Sequence, residues 1–199
     1  MTSTPPSVQK KTSYHHGNLR LALINAGTDI LETQGIESLS LRGTARLAGV
    51  SQAAPYSHFK DKTALLASIA ERGFQKLSLT MAEDATGKKD SFVRISALVI
   101  SYINFARDNT ALFHLMFGRE LANISEFPTL AMTAGKSYAL FSSAINAHVG
   151  SNQPALTATI WATTHGFAGL LADQKIKPEH IGSENINDFV ENILSQIKL

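Results

Sequence analysis

The sequence predicts an all-α protein, and three observations carry that prediction. Apolar residues recur at i, i+3, i+4 and i+7 in one segment after another. Short breaks rich in Gly, Pro, Ser, Asn and Asp, the residues that cap or end helices, separate these segments. No run alternates apolar and polar residues with the period of two that a half-buried strand requires. About nine helices packed around an apolar interior follow.

Residues 1–13 are polar and contain Pro5 and Pro6, which reads as a flexible arm. Leu19, Ala22, Leu23, Ala26 and Ile30 then mark one face of a first helix, which Gly35 ends. Ser40 is placed to cap a short second helix with Leu41, Ala45 and Ala48 inward, and Gly49 stops it. Ser51 is placed to cap a third, carrying "QAAPYSHF" with Ala54 and Phe59 inward. Pro55 falls in its first turn, where a missing N–H costs at most one early hydrogen bond and the fixed φ is already helical. Asp61 can cap a long fourth helix whose buried stripe is Leu65, Leu66, Ile69, Gly73 and Leu77. After a loop at Gly87–Lys89 the helical pattern resumes. Phe92, Ile95, Val99, Tyr102 and Ala106 share a face, "TALFHLMFG" is a short apolar helix, and further helices are expected from Pro128 to His148 and from Pro154 to Asp173. The last helix carries Ile186, Phe189, Val190, Ile193, Leu194 and Ile197 on one side.

With 199 residues, 44% hydrophobic and 17% charged, the chain can bury a sizeable core. It has no cysteine, so disulfides and thiolate chemistry are excluded. No apolar run approaches the roughly 20 residues of a membrane span, and the first residues lack an apolar signal core. A cytoplasmic protein without a membrane partner is the expectation. Net charge is +2 but unevenly spread: residues 1–62 hold seven basic against four acidic side chains, and the remainder is near neutral. A basic first section suggests contact with a polyanion.

Residues 40–60 combine two short helices, a turn at Gly49 and an immediate restart at Ser51, which is helix-turn-helix spacing. In such a motif the second helix lies in the DNA major groove. Gln52 can bond an adenine edge bidentately, and Ala53 and Ala54 can touch a thymine methyl. Tyr56, His58 and Lys62 can reach phosphates, and Arg42 a phosphate or a base edge. In the arm, Lys10, Lys11, His15 and His16 can reach an adjacent minor groove or phosphates. An enzyme is not expected, because the chain shows no phosphate-cradling glycine loop, no HExxH and no paired-carboxylate spacing, and His114 and Glu120 do not share a helix face. A helical module that binds partners without DNA is the alternative from another class.

The stretch from Ala26 to Ile69, with "SLRGTARLAGVS" followed by "YSHFKDKTALL", resembles the TetR/AcrR family of transcriptional regulators. The resemblance extends over about Tyr14 to Leu77. "ALFHLMFGREL" and "WATTHGFAGLLADQ" are similar to the ligand-binding domain of a subset with a Trp-His-Gly signature, here Trp161, His165 and Gly166. The resemblance implies a helix-turn-helix domain at 14–61 and a ligand-binding and dimerisation domain at 62–199. It also implies a homodimeric repressor that binds a palindromic operator and is released by a small lipophilic or aromatic effector, with an activator of the same fold as the alternative. It places DNA contacts on Arg42, Ser51, Gln52, Ala53, Ala54, Tyr56, His58 and Lys62, and implies no cofactor and no metal. Gly43 and Thr44 depart from the family pattern, which calls for a better helix former and a larger aliphatic there.

Candidate effector contacts are the aromatic and polar residues of the apolar helices in the second domain: Tyr102, Phe105, His114, Phe117, Tyr138, Trp161 and His165, with Met116 and Phe141 beside them. Candidate dimer contacts are the small residues Ala158, Ala162, Gly166 and Gly169, which let a partner helix approach closely, and Phe189 and Ile193 of the last helix.

Overall fold

The computed structural model describes residues 19–197, all helix, turn or loop, with no strand among the described residues. The arm, with Lys10, Lys11, His15 and His16, lies outside the described residues. Eight α-helices follow one another: α1 (Leu19–Gln34), α2 (Leu41–Leu47), α3 (Lys62–Ala85), α4 (Ser91–Asp108), α5 (Thr110–Phe117), α6 (Pro128–Val149), α7 (Pro154–Ala172) and α8 (Ile186–Gln196). Short 3-10 turns join several of them.

Two of the three caps expected from the sequence form. Ser40 accepts from the Gly43 N–H and Asp61 from the Ala64 N–H, each satisfying a donor that the first turn leaves unpaired. Gly35 and Gly49 adopt φ of 80° and 70°, where a Cβ would be strained.

One expected helix is not an α-helix. The segment after Gly49 forms a single 3-10 turn, Ala54–Ser57, so the α-helices number eight among the described residues rather than about nine. Pro55 supplies the reason. It has no N–H to give to the carbonyl of Ser51, which is met instead from Ala54 at 3.0 Å, three residues on. Ser51 therefore takes part through its carbonyl rather than as a side-chain cap, and the residue that starts the turn is Ala53.

Helix α3 joins the two halves of the molecule. Its first turns pack on α1, and its later turns pack on α4, α5 and α6. Two glycines make these contacts close. A Cβ on Gly27 of α1 would lie 2.8 Å from Ile69 Cδ1, and one on Gly73 of α3 would lie 2.6 Å from Met116 Sδ of α5. Leu65, Leu66, Ile69, Gly73 and Leu77 are all buried, so the stripe read from the sequence is the spine of both contacts. Glu32 of α1 adds a polar tie, its Oε1 accepting from the Leu112 N–H at 3.1 Å near the start of α5. In the second half, α4 sits at the centre and packs against α3, α6, α7 and α8.

Candidate DNA-reading head and aromatic recess

The head is built from α1, α2, the 3-10 turn and the start of α3. Leu23, Leu39, Ala45, Phe59 and Leu65 are each no more than 2% exposed and form its core. Thr44, the departure expected to thin this packing, is fully buried, and its Oγ1 donates to the Ser40 carbonyl at 2.8 Å. The polar atom is satisfied and the small side chain leaves no unpaired group behind. Gly43 also has a reason: a Cβ there would come 3.0 Å from the capping Ser40 Oγ.

On this support the turn divides its residues cleanly. Pro55 and Phe59 face inward, and the Pro55 carbonyl accepts from both His58 N and Phe59 N at 2.9 Å. Ser51, Gln52, Ala53, Tyr56 and His58 are exposed, as is Arg42 at the start of α2, and Ala54 is half-buried. Lys60, which the motif did not single out, is exposed beside them. Lys62 sits differently. It is half-buried, and its Nζ donates to the Ile36 carbonyl at 2.9 Å, tying α3 to the turn after α1. Its ammonium therefore braces the head and keeps two N–H donors for other partners.

Of the seven candidate effector residues, five meet in the body. His165 of α7 lies between Trp161, stacked at 5.6 Å with a 20° interplanar angle, and Phe117, 4.5 Å away at 60°. Tyr138 of α6 meets Trp161 edge-on at 5.9 Å. Tyr102 of α4 is fully buried beneath, its hydroxyl 2.9 Å from His165 Nδ1. Phe113 belongs to the same cluster, 5.3 Å from the imidazole, and the sequence reading passed over it as one apolar residue among many in α5. Phe141 is 6.0 Å from the Tyr102 ring. Trp161, His165 and Phe117 are half-buried and Tyr138 is exposed, so the cluster reaches the surface on this side.

Burial fixes the protons of the central pair. It pushes the Tyr102 phenol far above its usual range, so the hydroxyl keeps its hydrogen, and it lowers His165 below its ordinary value, which favours a neutral ring. A neutral imidazole has one N–H. With the N–H on Nε2, the phenol donates to Nδ1 and is satisfied. With it on Nδ1, the phenol hydrogen would have no acceptor among the described residues, at about 1–3 kcal/mol for a buried donor. This pairing favours the His165 tautomer with its hydrogen on Nε2, an atom with no hydrogen-bond partner among the described residues.

The other candidates are placed elsewhere. His114 points outward from α5, half-exposed, with Nε2 3.0 Å from Asp173 Oδ1, and takes no part in the aromatic cluster. Its neighbours Phe113 and Leu115 are buried, so the 3.6-residue period turns it to the surface. Met116 packs against Gly73. Phe105 is buried under Lys76, whose Nζ lies 5.9 Å from the ring centroid, on the α3 side of α4. A cleft of roughly 730 Å³ opens beside Lys76 between α1, α3 and the start of α5, lined also by Asp29, Glu32 and Arg72 among others.

Ala158, Ala162 and Gly166 form an exposed stripe on α7 with Gly169 half-buried at its end, while Thr157, Ile160, Thr164, Ala168 and Leu171 face the core. A Cβ on Gly166 or Gly169 would meet nothing within 4 Å, so this stripe is not packed within its own chain. Phe189 is different: it is fully buried, edge-on to Phe167 at 5.2 Å, and belongs to the core rather than to a subunit surface. Ile193 is half-buried. Among the described residues no helix is long and apolar enough to cross a membrane.

Comparison with known proteins agrees with this geometry. Residues 23–69 match the family model described as bacterial regulatory proteins, tetR family. Residues 95–197 match the model described as tetracyclin repressor-like, C-terminal domain. The chain is 23% identical over 175 residues to the uncharacterised HTH-type transcriptional regulator YobS of Bacillus subtilis (strain 168), covering 87% of this chain and 89% of that one. Its fold is similar to that of a protein of unknown function from Rhodococcus sp. RHA1, with a TM-score of 0.80, 29% identity and coverage of 94% and 96%. It is also similar to that of the transcriptional regulator FadR from Bacillus subtilis in complex with stearoyl-CoA, with a TM-score of 0.66, 15% identity and coverage of 88% and 95%. With one model on the head and the other over the body, the chain belongs to the tetR family of DNA-binding transcriptional regulators, whose members bind operator DNA and small-molecule effectors and act as dimers.

Proposed function

We propose that this chain is a cytoplasmic repressor that binds a palindromic operator as a homodimer and leaves it when a small lipophilic or aromatic effector binds at the aromatic cluster around His165. The observation that carries the DNA half is the sorting of one turn: Gln52, Tyr56 and His58 exposed, Pro55 and Phe59 buried beneath them. In this reading Gln52 meets an adenine edge, and Ser51, Tyr56 and His58 hold phosphates. Ala53 and Ala54 offer methyl groups to thymine, and Arg42 reaches a phosphate or base edge. In this reading the described residues up to 61 belong to the reading head and those from 62 onward to the body, with α3 as the lever between them. Two heads about 34–36 Å apart would serve two half-sites one turn of B-DNA apart, and an effector acts by favouring another spacing.

The dimer surface in this reading is the exposed small-residue stripe of α7 with the outer side of α8. The effector half rests on the half-buried rings of Trp161, His165 and Phe117, and on the grouping of Trp161, His165 and Gly166 in the order of the Trp-His-Gly subset. The structural neighbour solved with stearoyl-CoA holds a lipophilic ligand on the same fold, which supports a lipophilic effector here.

A gel shift with the DNA flanking its own gene, at stepped salt, tests the DNA half. The expected result is a shift whose affinity falls linearly in log K against log salt, through release of counterions from the phosphates. Absence of any shift at low salt removes the DNA reading and leaves a partner-binding helical module. A reporter driven from the same DNA then separates repression from activation.

A further inference from the structure

We infer that the cleft between the head and the body is a further small-molecule site, and that it takes the zwitterion of an α-amino acid with an apolar side chain. The site is separate from the aromatic cluster around His165, since none of those rings lines it. The cleft holds about 730 Å³, within the range of roughly 300–1,000 Å³ that small-molecule pockets occupy. One wall is α1, where Asp29 and Glu32 lie a turn apart on the same face. The facing wall is α3, where Arg72 and Lys76 do the same. Asp108, the last residue of α4, joins the lining. A ligand held here contacts the head through α1 and the body through α5.

The lining charges leave part of their pairing capacity unused. Among the described residues the only ion pair is His114 with Asp173, so acid and base do not meet across the cleft. Glu32 and Lys76 are anchored to the start of α5, Glu32 Oε1 accepting from the Leu112 N–H and Lys76 Nζ donating to Asn109 Oδ1 at 2.8 Å. The Asp29 carboxylate and the Arg72 guanidinium have no hydrogen-bond partner among the described residues. A simple anion would suit Arg72 and face the carboxylates, and a simple cation would suit Asp29 and face the guanidinium. A zwitterion suits both walls, with its carboxylate on the Arg72 fork and its ammonium on Asp29. Leu79 supplies the apolar part of the site. It lines the cleft with Ile69 and Leu112 and is 63% exposed, which leaves apolar surface for a ligand side chain to cover.

Three probes on one carbon skeleton test this: L-leucine, 4-methylpentanoate, which lacks its ammonium, and 3-methylbutylamine, which lacks its carboxylate. Each is titrated into the full chain at low salt near neutral pH, read by calorimetry and by backbone amide shifts. L-Leucine should bind about three- to tenfold more tightly than either truncated probe, the range of one net charge-assisted hydrogen bond at a partly open site. It should move the amides of Asp29, Arg72 and Leu112 more than the indole N–H of Trp161. Arg72→Gln should reduce L-leucine to the affinity of 3-methylbutylamine, and Asp29→Asn to that of 4-methylpentanoate. Both side chains are exposed, which suits them to substitution without loss of the fold, and the three-probe comparison on the unaltered chain stands without either variant.

Equal binding of L-leucine and a truncated probe overturns the inference. So does a full preference for L-leucine retained in either variant, a set of shifts centred on Trp161, or the absence of any response to L-leucine. Each of these leaves the reading of the aromatic cluster as the effector site where it stands, because the two sites share no residue.

Discussion

Tyr56 and His58 in the head, and Tyr102 and His165 in the body, are the same two residue types in opposite surroundings. The first two lie exposed on one turn, two residues apart in sequence. The second two are 63 residues apart and joined at 2.9 Å inside a ring of aromatic side chains. In water the phenol and the imidazole keep their full donor and acceptor range and suit a charged backbone with many equivalent oxygens. In the interior each must be satisfied by the other, and that fixes one proton arrangement. Exposure leaves the pair in the head open to solvent, and burial commits Tyr102 in the body to His165.

The largest expected effect comes from removing what lets the head stay exposed on one side only. Phe59 is 2% exposed and lies beneath the reading turn with the Arg20 guanidinium 5.6 Å from its ring. Phe59→Ala should cost about 3–5 kcal/mol of stability in denaturant unfolding, with DNA binding lost alongside. An effect under about 1 kcal/mol would show that the turn does not depend on this core contact.

Next in size are the exposed contacts. Gln52→Ala should change base preference at one operator position by about 1–3 kcal/mol, and Tyr56→Ala should weaken all sequences alike. An unchanged preference for Gln52→Ala would displace the register proposed for the turn. Lys62 tests the boundary between the two environments. If its main task is the bond to the Ile36 carbonyl, Lys62→Met should lower stability by about 1 kcal/mol and leave the salt slope of DNA binding unchanged. A slope reduced by about one unit would restore it as a phosphate contact.

The smallest effect concerns acid. Burial holds His165 below its ordinary value of 6.5, so as pH falls through that value the unfolded chain takes up a proton before the folded one does. His165 thus favours the folded state less as pH drops, until its own lowered value is passed. His165→Phe should flatten this part of the stability curve below pH 6.5 without altering it near neutrality. An unchanged acid slope would mean that the ring is as easily protonated folded as unfolded.

The sequence by itself determined the helices and the outline of the head. Ser40, Gly49, Asp61 and the Leu65–Leu77 stripe are signals carried by a few neighbouring residues, because caps, turns and helical faces are local physics. The helix-turn-helix spacing and the exposed Gln52, Tyr56 and His58 were legible for the same reason. The tertiary structure decided what depends on meeting distant partners. Pro55 reduced the reading helix to a 3-10 turn by withholding one N–H, and the Ile36 carbonyl drew Lys62 inward. His114 meets Asp173 at the surface, while the half-buried His165 meets the buried Tyr102. Both histidines sit in apolar helices and look alike in sequence. Which one pairs with a buried phenol is set by how α4, α5 and α7 pack, and helical spacing within a single segment cannot encode that.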